Sequence, residues 1–447
     1  MTTAIERLAD LAAGWLDAPI SPELRQAVHC ATLDWFATTL PGTLQAPATL
    51  LAAGGLARDG DAWCYTSERR IDPRSAAFIN ASASHTVEFD DIFRDGGYHP
   101  GSPTFAAALA VAQDIGASRE AFDRAVIGGY EVGCRIAMAL QPSHYEFWHT
   151  TSTVGTFGTA AAAAMLLGCD RDGIANAIAI AASFAGGIQQ NLQGQSMAKA
   201  MHPGHAADAG ILAAYAAASG ATGAWDSLDG PKGYAAATSD SAGNWAAAFE
   251  GAGDWTPITR MTVKIHGCCG HIFPSLDALE VLRAAHDFGP EDIAAIRIEG
   301  YDATKKMCDR PNPQLAQDAR FSAQYCLSAQ MVLGGVRLAA FTDEALGNPA
   351  IRALMPLITV ERAEDLAAEY PRKRMARLHV TLKDGRSLSH FQPSRRGDPE
   401  NPISLADLQA KYDELTGPVL PPAELERLRR MIFDGTDLPD AVTKKAT

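Results

Sequence analysis

The chain is short of aromatic residues, cysteine and positive charge, and each shortage excludes something. Phe, Trp and Tyr supply 7% of its 447 residues. With alanine this frequent, the composition favours tightly packed helices over a sheet-dominated fold, because Ala has the best helix propensity and lets helix backbones approach closely. Eight cysteines in 447 residues are too few for a disulfide scaffold and point to reduced thiols. Thirty-eight Lys and Arg stand against 52 Asp and Glu, a net charge of −14, which argues against nucleic acid or an anionic membrane as partner. A small anion held in a local basic pocket stays allowed. No apolar run reaches the roughly 20 residues of a membrane span. Met1–Leu11 lacks the basic stretch and apolar core of a signal peptide, so a cytoplasmic protein is expected. Also missing are a Walker loop, a dinucleotide-binding glycine fingerprint, a Gly-x-Ser-x-Gly elbow and an HExxH pair.

What is present is 47% hydrophobic residue content and repeated alanine clusters, at Ala160–Ala164, Ala213–Ala218, Ala235–Ala237 and Ala246–Ala248. Apolar residues recur at helical spacing in Pro22–Leu40, Ser75–Phe89, Pro103–Ile115 and Arg119–Leu140, then in Thr153–Leu167, Asp172–Gly186 and Ala198–Ser219. Helices apolar on nearly every face are buried in a bundle. Near Met261 the pattern changes. Ile293–Gly300 and Ala376–Lys383 alternate as half-buried strands do, and the second leads through Asp384-Gly385, a hairpin signal, to Ser387–Phe391. Helical patterns lie between them at Ser322–Val336 and Asp343–Leu354. Arg395–Pro402 reads as a polar loop, after which Leu405–Leu415 and Pro422–Ile432 are amphipathic helices. The expected fold is mainly α: a large all-helical domain (residues 1–260 and 396–447) with a smaller α+β lid domain (261–395).

Five segments carry candidate chemistry. His85-Thr86-Val87-Glu88-Phe89-Asp90-Asp91, followed by His99-Pro100, has the residue types of a divalent-metal site or an acid–base pair; the bland alternative is an acidic helix end with a solvated loop. Gly96-Gly97 before His99 suggests a mobile loop. His149–Thr153 precedes a buried helix and offers free N–H groups to a carboxylate, or ordinary capping by Ser152 or Thr151. Lys199, among Met and Ala at the head of a buried helix, needs a counter-charge that a substrate carboxylate would supply. The Lys264–His271 loop has adjacent Cys268 and Cys269, a poor spacing for zinc, and reads as a cleft lining. Asp318–Ser322 opens a helix, with Arg320 available to a carboxylate or a surface partner.

Taken in order, these segments resemble the MmgE/PrpD family: His85–Asp91 with His99-Pro100, Gly155-Thr156-Phe157-Gly158, Lys199-x-x-His202-x-Gly204, the Lys264–His271 loop with its paired Cys, Asp318–Ser322 and Gly397–Pro402. The resemblance implies a homodimer of two-domain subunits, no organic cofactor and no metal, and a small di- or tricarboxylate substrate bound in a cleft between the domains. It implies Glu88, His99, His149 and Lys199 as catalytic positions, with Lys264 and His202 holding carboxylates. Asp90, Asp91, Arg320, Cys269 and His271 complete the expected substrate-binding set. Removing a proton next to a carboxylate needs a base on the carbon and positive charge on the enediolate, which these types supply.

The chain also departs from the decarboxylase branch of that family. A Thr there is Ile92 here, an Asp is Glu88, a His falls near Cys269 and a Tyr aligns with Met307. Two candidate proton donors are thereby removed, with Tyr301, Lys305 and His271 as candidates to compensate. The leading expectation is a lyase that eliminates water from a citrate-like acid, as 2-methylcitrate dehydratase does. Epimerisation of an amino- or iminodicarboxylate is the alternative, and cis-aconitate-type decarboxylation the less favoured reading. A metal-dependent binding protein using His266, Cys268, Cys269 and His271 is the reading outside enzymology.

Overall fold

The computed structural model describes residues 2–192 and 196–446. It separates into two compact units, Met1–Thr262 with Ser404–Thr447, and Val263–Ile403.

The first unit is built from helices whose ends are written locally. Ser21 accepts the Leu24 N–H at 3.2 Å and caps the helix Pro22–Gly42, which has proline in its first turn. Asp72 does the same for Pro73–Thr86 through Ser75 N–H, and Ser118 for Arg119–Leu140. Gly116, at φ 64°, ends Gly101–Ile115 in the left-handed conformation that suits glycine. The Arg119–Leu140 helix has the limits its sequence predicts, because a capping serine precedes it and Gln141-Pro142 follows. Asp172–Gly186, read as one helix, stops at Ala181. The unit is also not purely helical: Ala62–Cys64 pairs antiparallel with Arg69–Ile71. Three-residue strands are too short to show a period of two in sequence.

The alanine content is used for close approach. Every residue of the helix Thr150–Leu166 is buried, and this helix packs against Ala198–Ala218 and Arg119–Leu140. A Cβ on Gly210 would stand 1.9 Å from Thr159 Oγ1, and one on Gly158 2.8 Å from the Gly129 carbonyl oxygen. The C-terminal helices Leu405–Thr416 and Pro422–Phe433 return to pack on Pro22–Gly42. There the buried Lys411 ammonium pairs with Asp34 at 2.5 Å and donates to the Phe89 carbonyl at 2.8 Å.

The second unit holds a four-stranded sheet in the order Ile358–Arg362, Ile293–Gly300, Ala376–Leu382, Ser387–Gln392. The first pair is parallel and the other two are antiparallel. Gly385 (φ 92°) makes the expected hairpin turn. Ile296, Ile298, Leu378 and Val380 form one core with residues of the helices Phe273–Ala285 and Ala323–Leu333. The helix read over Asp343–Leu354 is two, Asp343–Leu346 and Pro349–Leu354, because Asn348 caps the second and Pro349 starts it. The polar loop Arg395–Pro402 is partly buried: Arg395 and Asp398 are each 1% exposed and paired at 2.6 Å. Among the described residues no helix is long and apolar enough to cross a membrane.

Candidate active site

The helix Pro73–Thr86 ends one turn before the sequence pattern suggests, and Glu88 follows it in the left-handed region at φ 59°. That conformation costs a side-chain-bearing residue roughly 1 kcal/mol or more. It lets the chain double back, so that His85, Glu88 and Asp90 meet one group of side chains. His85 Nδ1 lies 2.6 Å from Asp90 Oδ2, and His85 Nε2 lies 3.0 Å from Lys199 Nζ. Lys199 also forms an ion pair with Glu88. Lys199 is in the first turn of Ala198–Ala218, which brings His202 in the next turn beside it.

His202 Nδ1 and His149 Nδ1 are 2.8 Å apart. His149, and not Ser152 or Thr151, is the N-cap residue, because the helix begins at Thr150; no side chain caps it. Thr151 instead accepts the His99 backbone N–H at 3.3 Å. The ring of His85 is 5.0 Å from that of His99 and 5.7 Å from that of His149. Four imidazoles, one ammonium and two carboxylates therefore converge within the first unit.

Burial sets the proton states. It lowers His85 to about 4, helped by the Lys199 charge and outweighing Asp90. It lowers His202 to about 4 as well, with His85 and Lys199 adding to the shift, and holds His149 well below its ordinary value, with His202 and Lys199 next in effect. These three rings are neutral near pH 7. In the His149–His202 contact one ring therefore donates from Nδ1 and the other accepts.

His85, Asp90 and His99 also bring three ligand atoms within 4.8 Å of one another, the one such group among the described residues. Two imidazoles and a carboxylate are a donor set that suits a divalent metal. The ammonium at His85 Nε2 puts a positive charge next to that position.

Asp91 is used differently from its neighbour. Gly101 N–H donates to its Oδ1 at 2.9 Å and Tyr130 O–H to its Oδ2 at 2.7 Å, and burial raises it to about 7. This fastens the segment leading to His99 onto the start of Gly101–Ile115. Gly96-Gly97, expected as a mobile tip, is packed: a Cβ on Gly96 would stand 2.4 Å from that of Ala137. Phe93 and Tyr98 exchange backbone hydrogen bonds around it.

In the second unit, Lys264 is buried. Arg320 donates to the Gly267 carbonyl at 2.7 Å and lies over the Phe341 ring, while Cys269 N–H donates to the Arg320 carbonyl at 2.8 Å. His271 Nδ1 is 2.7 Å from Tyr301 Oη, and Tyr301 stacks on Tyr370. His266 faces Asp277 at 3.2 Å. Burial pushes the Cys268 and Cys308 thiols well up, as expected of inert thiols. His266, Cys268, Cys269 and His271 thus point to separate partners and do not form a common ligand set among the described residues. Met307 packs against the core of this unit.

The expected catalytic and substrate-binding set leaves out His85, although the segment it opens has the residue types of a metal site or an acid–base pair. Its signal was its place three and five residues before Glu88 and Asp90, a spacing that joins them only if the helix ends between them.

The MmgE/PrpD N-terminal domain matches residues 6–244 of the chain and the MmgE/PrpD C-terminal domain matches residues 266–433. A cis-aconitate decarboxylase of Homo sapiens is 26% identical over 387 residues, covering 83% of this chain and 78% of that protein. A cis-aconitate decarboxylase-like protein of Aspergillus oryzae is 27% identical over 390 residues, covering 82% and 80%. A cis-aconitate decarboxylase of Aspergillus terreus is 24% identical over 400 residues, covering 83% and 80%. With both domain profiles matched in order over most of its length, the chain belongs to the MmgE/PrpD family.

Proposed function

We propose that the protein is a lyase that acts on a small di- or tricarboxylate with its own side chains, removing a proton next to a carboxylate and expelling a β-hydroxyl as water. The observation that carries this reading is the group of neutral imidazoles around one buried ammonium. Neutral imidazole is the form that accepts a proton, so the cluster suits a reaction that begins with C–H cleavage. His99 and His149 are the proton-transfer residues in this reading, and Lys199 holds negative charge on the substrate as it develops. Lys264 and His202 are assigned to substrate carboxylates on the resemblance.

Decarboxylation is the second reading, favoured by the activity named for the relatives. It releases carbon dioxide first and needs a proton donor for the resulting carbanion, which the neutral rings supply less readily. One panel separates the readings. The purified protein is given 2-methylcitrate, citrate and cis-aconitate, with ultraviolet detection of the unsaturated acid and trapping of carbon dioxide. Unsaturated product from a hydroxy acid supports the dehydratase; carbon dioxide from cis-aconitate replaces it with the decarboxylase. Deuterium wash-in at the α-carbon of an aminodicarboxylate without elimination replaces both with an epimerase, and inactivity throughout removes the lyase reading.

A further inference from the structure

His149 and His202 meet in a way that two independent substrate ligands would not need. Both rings are buried. Their Nδ1 atoms are 2.8 Å apart, and this is the one hydrogen bond that either ring makes among the described residues. The ring centres are 5.0 Å apart, the length of the hydrogen bond plus one ring radius at each end, so the two nitrogens face each other nearly in line.

The backbone around the pair builds this contact. His149 precedes the helix Thr150–Leu166, and its N–H donates to the Gly187 carbonyl at 2.9 Å. His202 is in the second turn of Ala198–Ala218, where its carbonyl accepts the Ser152 hydroxyl at 3.3 Å. Gly187 sits at φ 132°, and a Cβ there would stand 2.4 Å from Ser152 Oγ and 3.8 Å from His202 Cδ2. Glycine at this position lets the two helix starts come together with their imidazoles end to end.

A hydrogen bond between two nitrogens holds one proton. Both rings are neutral, so one carries its proton on Nδ1 and its lone pair on Nε2, and the other has the reverse. Fixing one tautomer therefore fixes the other. Rings that meet at Nδ1 also turn their Nε2 atoms away from each other, so one small acid does not sit on both.

We infer that His202 is the tautomer partner of His149: its Nδ1 accepts the His149 Nδ1–H, which leaves the His149 lone pair on Nε2 as the atom that takes the substrate proton. His202 is then a positioning residue and not the carboxylate ligand that the family resemblance implies. In the reaction the substrate C–H bond breaks, its proton forms an N–H bond at His149 Nε2, and its electron pair stays on the substrate as the enediolate. The imidazolium so formed keeps its Nδ1–H on His202. The direction of the bond rests on the proton-transfer role proposed above for His149; the linkage of the two rings rests on geometry alone.

The first test needs no substrate. Nitrogen-15 spectra of the full-length, histidine-labelled protein at pH 7 read the tautomers, with His149→Gln and His202→Leu identifying the two rings by loss of signal. The expected result is a protonated Nδ1 at His149, coupled across the hydrogen bond to an unprotonated Nδ1 at His202. The reverse placement, or two rings that share no proton, overturns the inference whether or not a variant folds. Kinetics then separate positioning from binding. His202→Leu removes the acceptor, so kcat should fall by about tenfold or more while KM stays within about twofold. His202→Asp returns an oxygen near the place of Nδ1 that only accepts, and its kcat should exceed that of the Leu variant by about fivefold or more. A carboxylate set against a substrate carboxylate would instead raise KM. An Asp variant with KM about tenfold higher or more, or one that is folded and no faster than the Leu variant, overturns the inference. The expected spectra with no activity on any acid would count against the proposed reaction alone.

Discussion

Replacing Lys199 by methionine separates what the ammonium does for turnover from what it does for folding. The side chain keeps its length and loses its charge. Glu88, 2% exposed and already in the left-handed region at φ 59°, then loses its ammonium partner. Breaking a buried pair on one side typically costs about 3–5 kcal/mol. The carboxyl can limit that cost by taking a proton. A glutamate in the unfolded chain titrates near 4.3, so holding it neutral in the folded state costs about 3.7 kcal/mol at pH 7 and about 1.6 kcal/mol at pH 5.5. Over this range the folded variant binds one more proton than its unfolded chain, so its deficit grows as pH rises and shrinks as pH falls. Denaturant melts of wild type, Lys199→Met and Lys199→Met with Glu88→Gln at both pH values measure this. The single variant should lose about 3–4 kcal/mol at pH 7 and roughly 2 kcal/mol less at pH 5.5. The double variant should recover most of the loss at pH 7, and neither should turn over. A deficit that ignores pH would show that lost packing, not a stranded carboxylate, is the cost. Turnover by either variant would remove Lys199 from the chemistry.

Two further outcomes test the fold. Gly210→Ala puts a methyl 1.9 Å from Thr159 Oγ1 and 2.8 Å from the Ala160 amide nitrogen, so the helices Thr150–Leu166 and Ala198–Ala218 must separate; a loss of about 3 kcal/mol or more is expected despite the better helix propensity of Ala, and an unchanged melting temperature would refute the close approach. His85, His144 and His202 are each lowered to about 4 by burial, against about 6.5 when unfolded, so stability is fully present above pH 6.5 and is lost as pH falls toward 4, by up to about 3 kcal/mol per ring. His144→Gln, a change outside the candidate site, should reduce the slope of stability against pH in that window by one proton, about 1.4 kcal/mol per pH unit; an unaltered slope would show that His144 does not titrate with unfolding.

Where the determinants are local, the sequence carries the structure. Ser118 and Gln141-Pro142 bound the helix Arg119–Leu140 within a few residues of itself, and Asp384-Gly385 does the same for the hairpin that joins Ala376–Leu382 to Ser387–Gln392. What escaped detection depends on distant partners. The strand Ile358–Arg362 is five residues long, follows a short 3-10 turn and is defined by parallel pairing with Ile293–Gly300, some sixty residues earlier. The pair Ala62–Cys64 and Arg69–Ile71 has no pattern longer than three residues. The start of Thr150–Leu166 was hidden because His149, whose ring is taken by His202, replaces the capping side chain that the polar run seemed to offer.

The candidate site shows the same division most sharply at two adjacent aspartates. Nothing in the residues distinguishes Asp90 from Asp91, since both follow Glu88-Phe89 and both are carboxylates ahead of the His99 segment. Their fates are decided by Ser102 and His85 on one side and by Gly101 and Tyr130 on the other. A search for perturbed acids as markers of function would choose Asp91, which is raised to about 7. Yet the first cause of that shift is burial, and both of its oxygens are spent on hydrogen bonds within the fold. Asp90 instead meets the two rings that face the ammonium and the exposed edge of the cluster. A carboxylate in this fold is therefore better judged by what it holds than by how far its proton affinity has moved. On that criterion Asp91 secures the segment that carries His99, while Asp90 holds the His85 ring that faces Lys199.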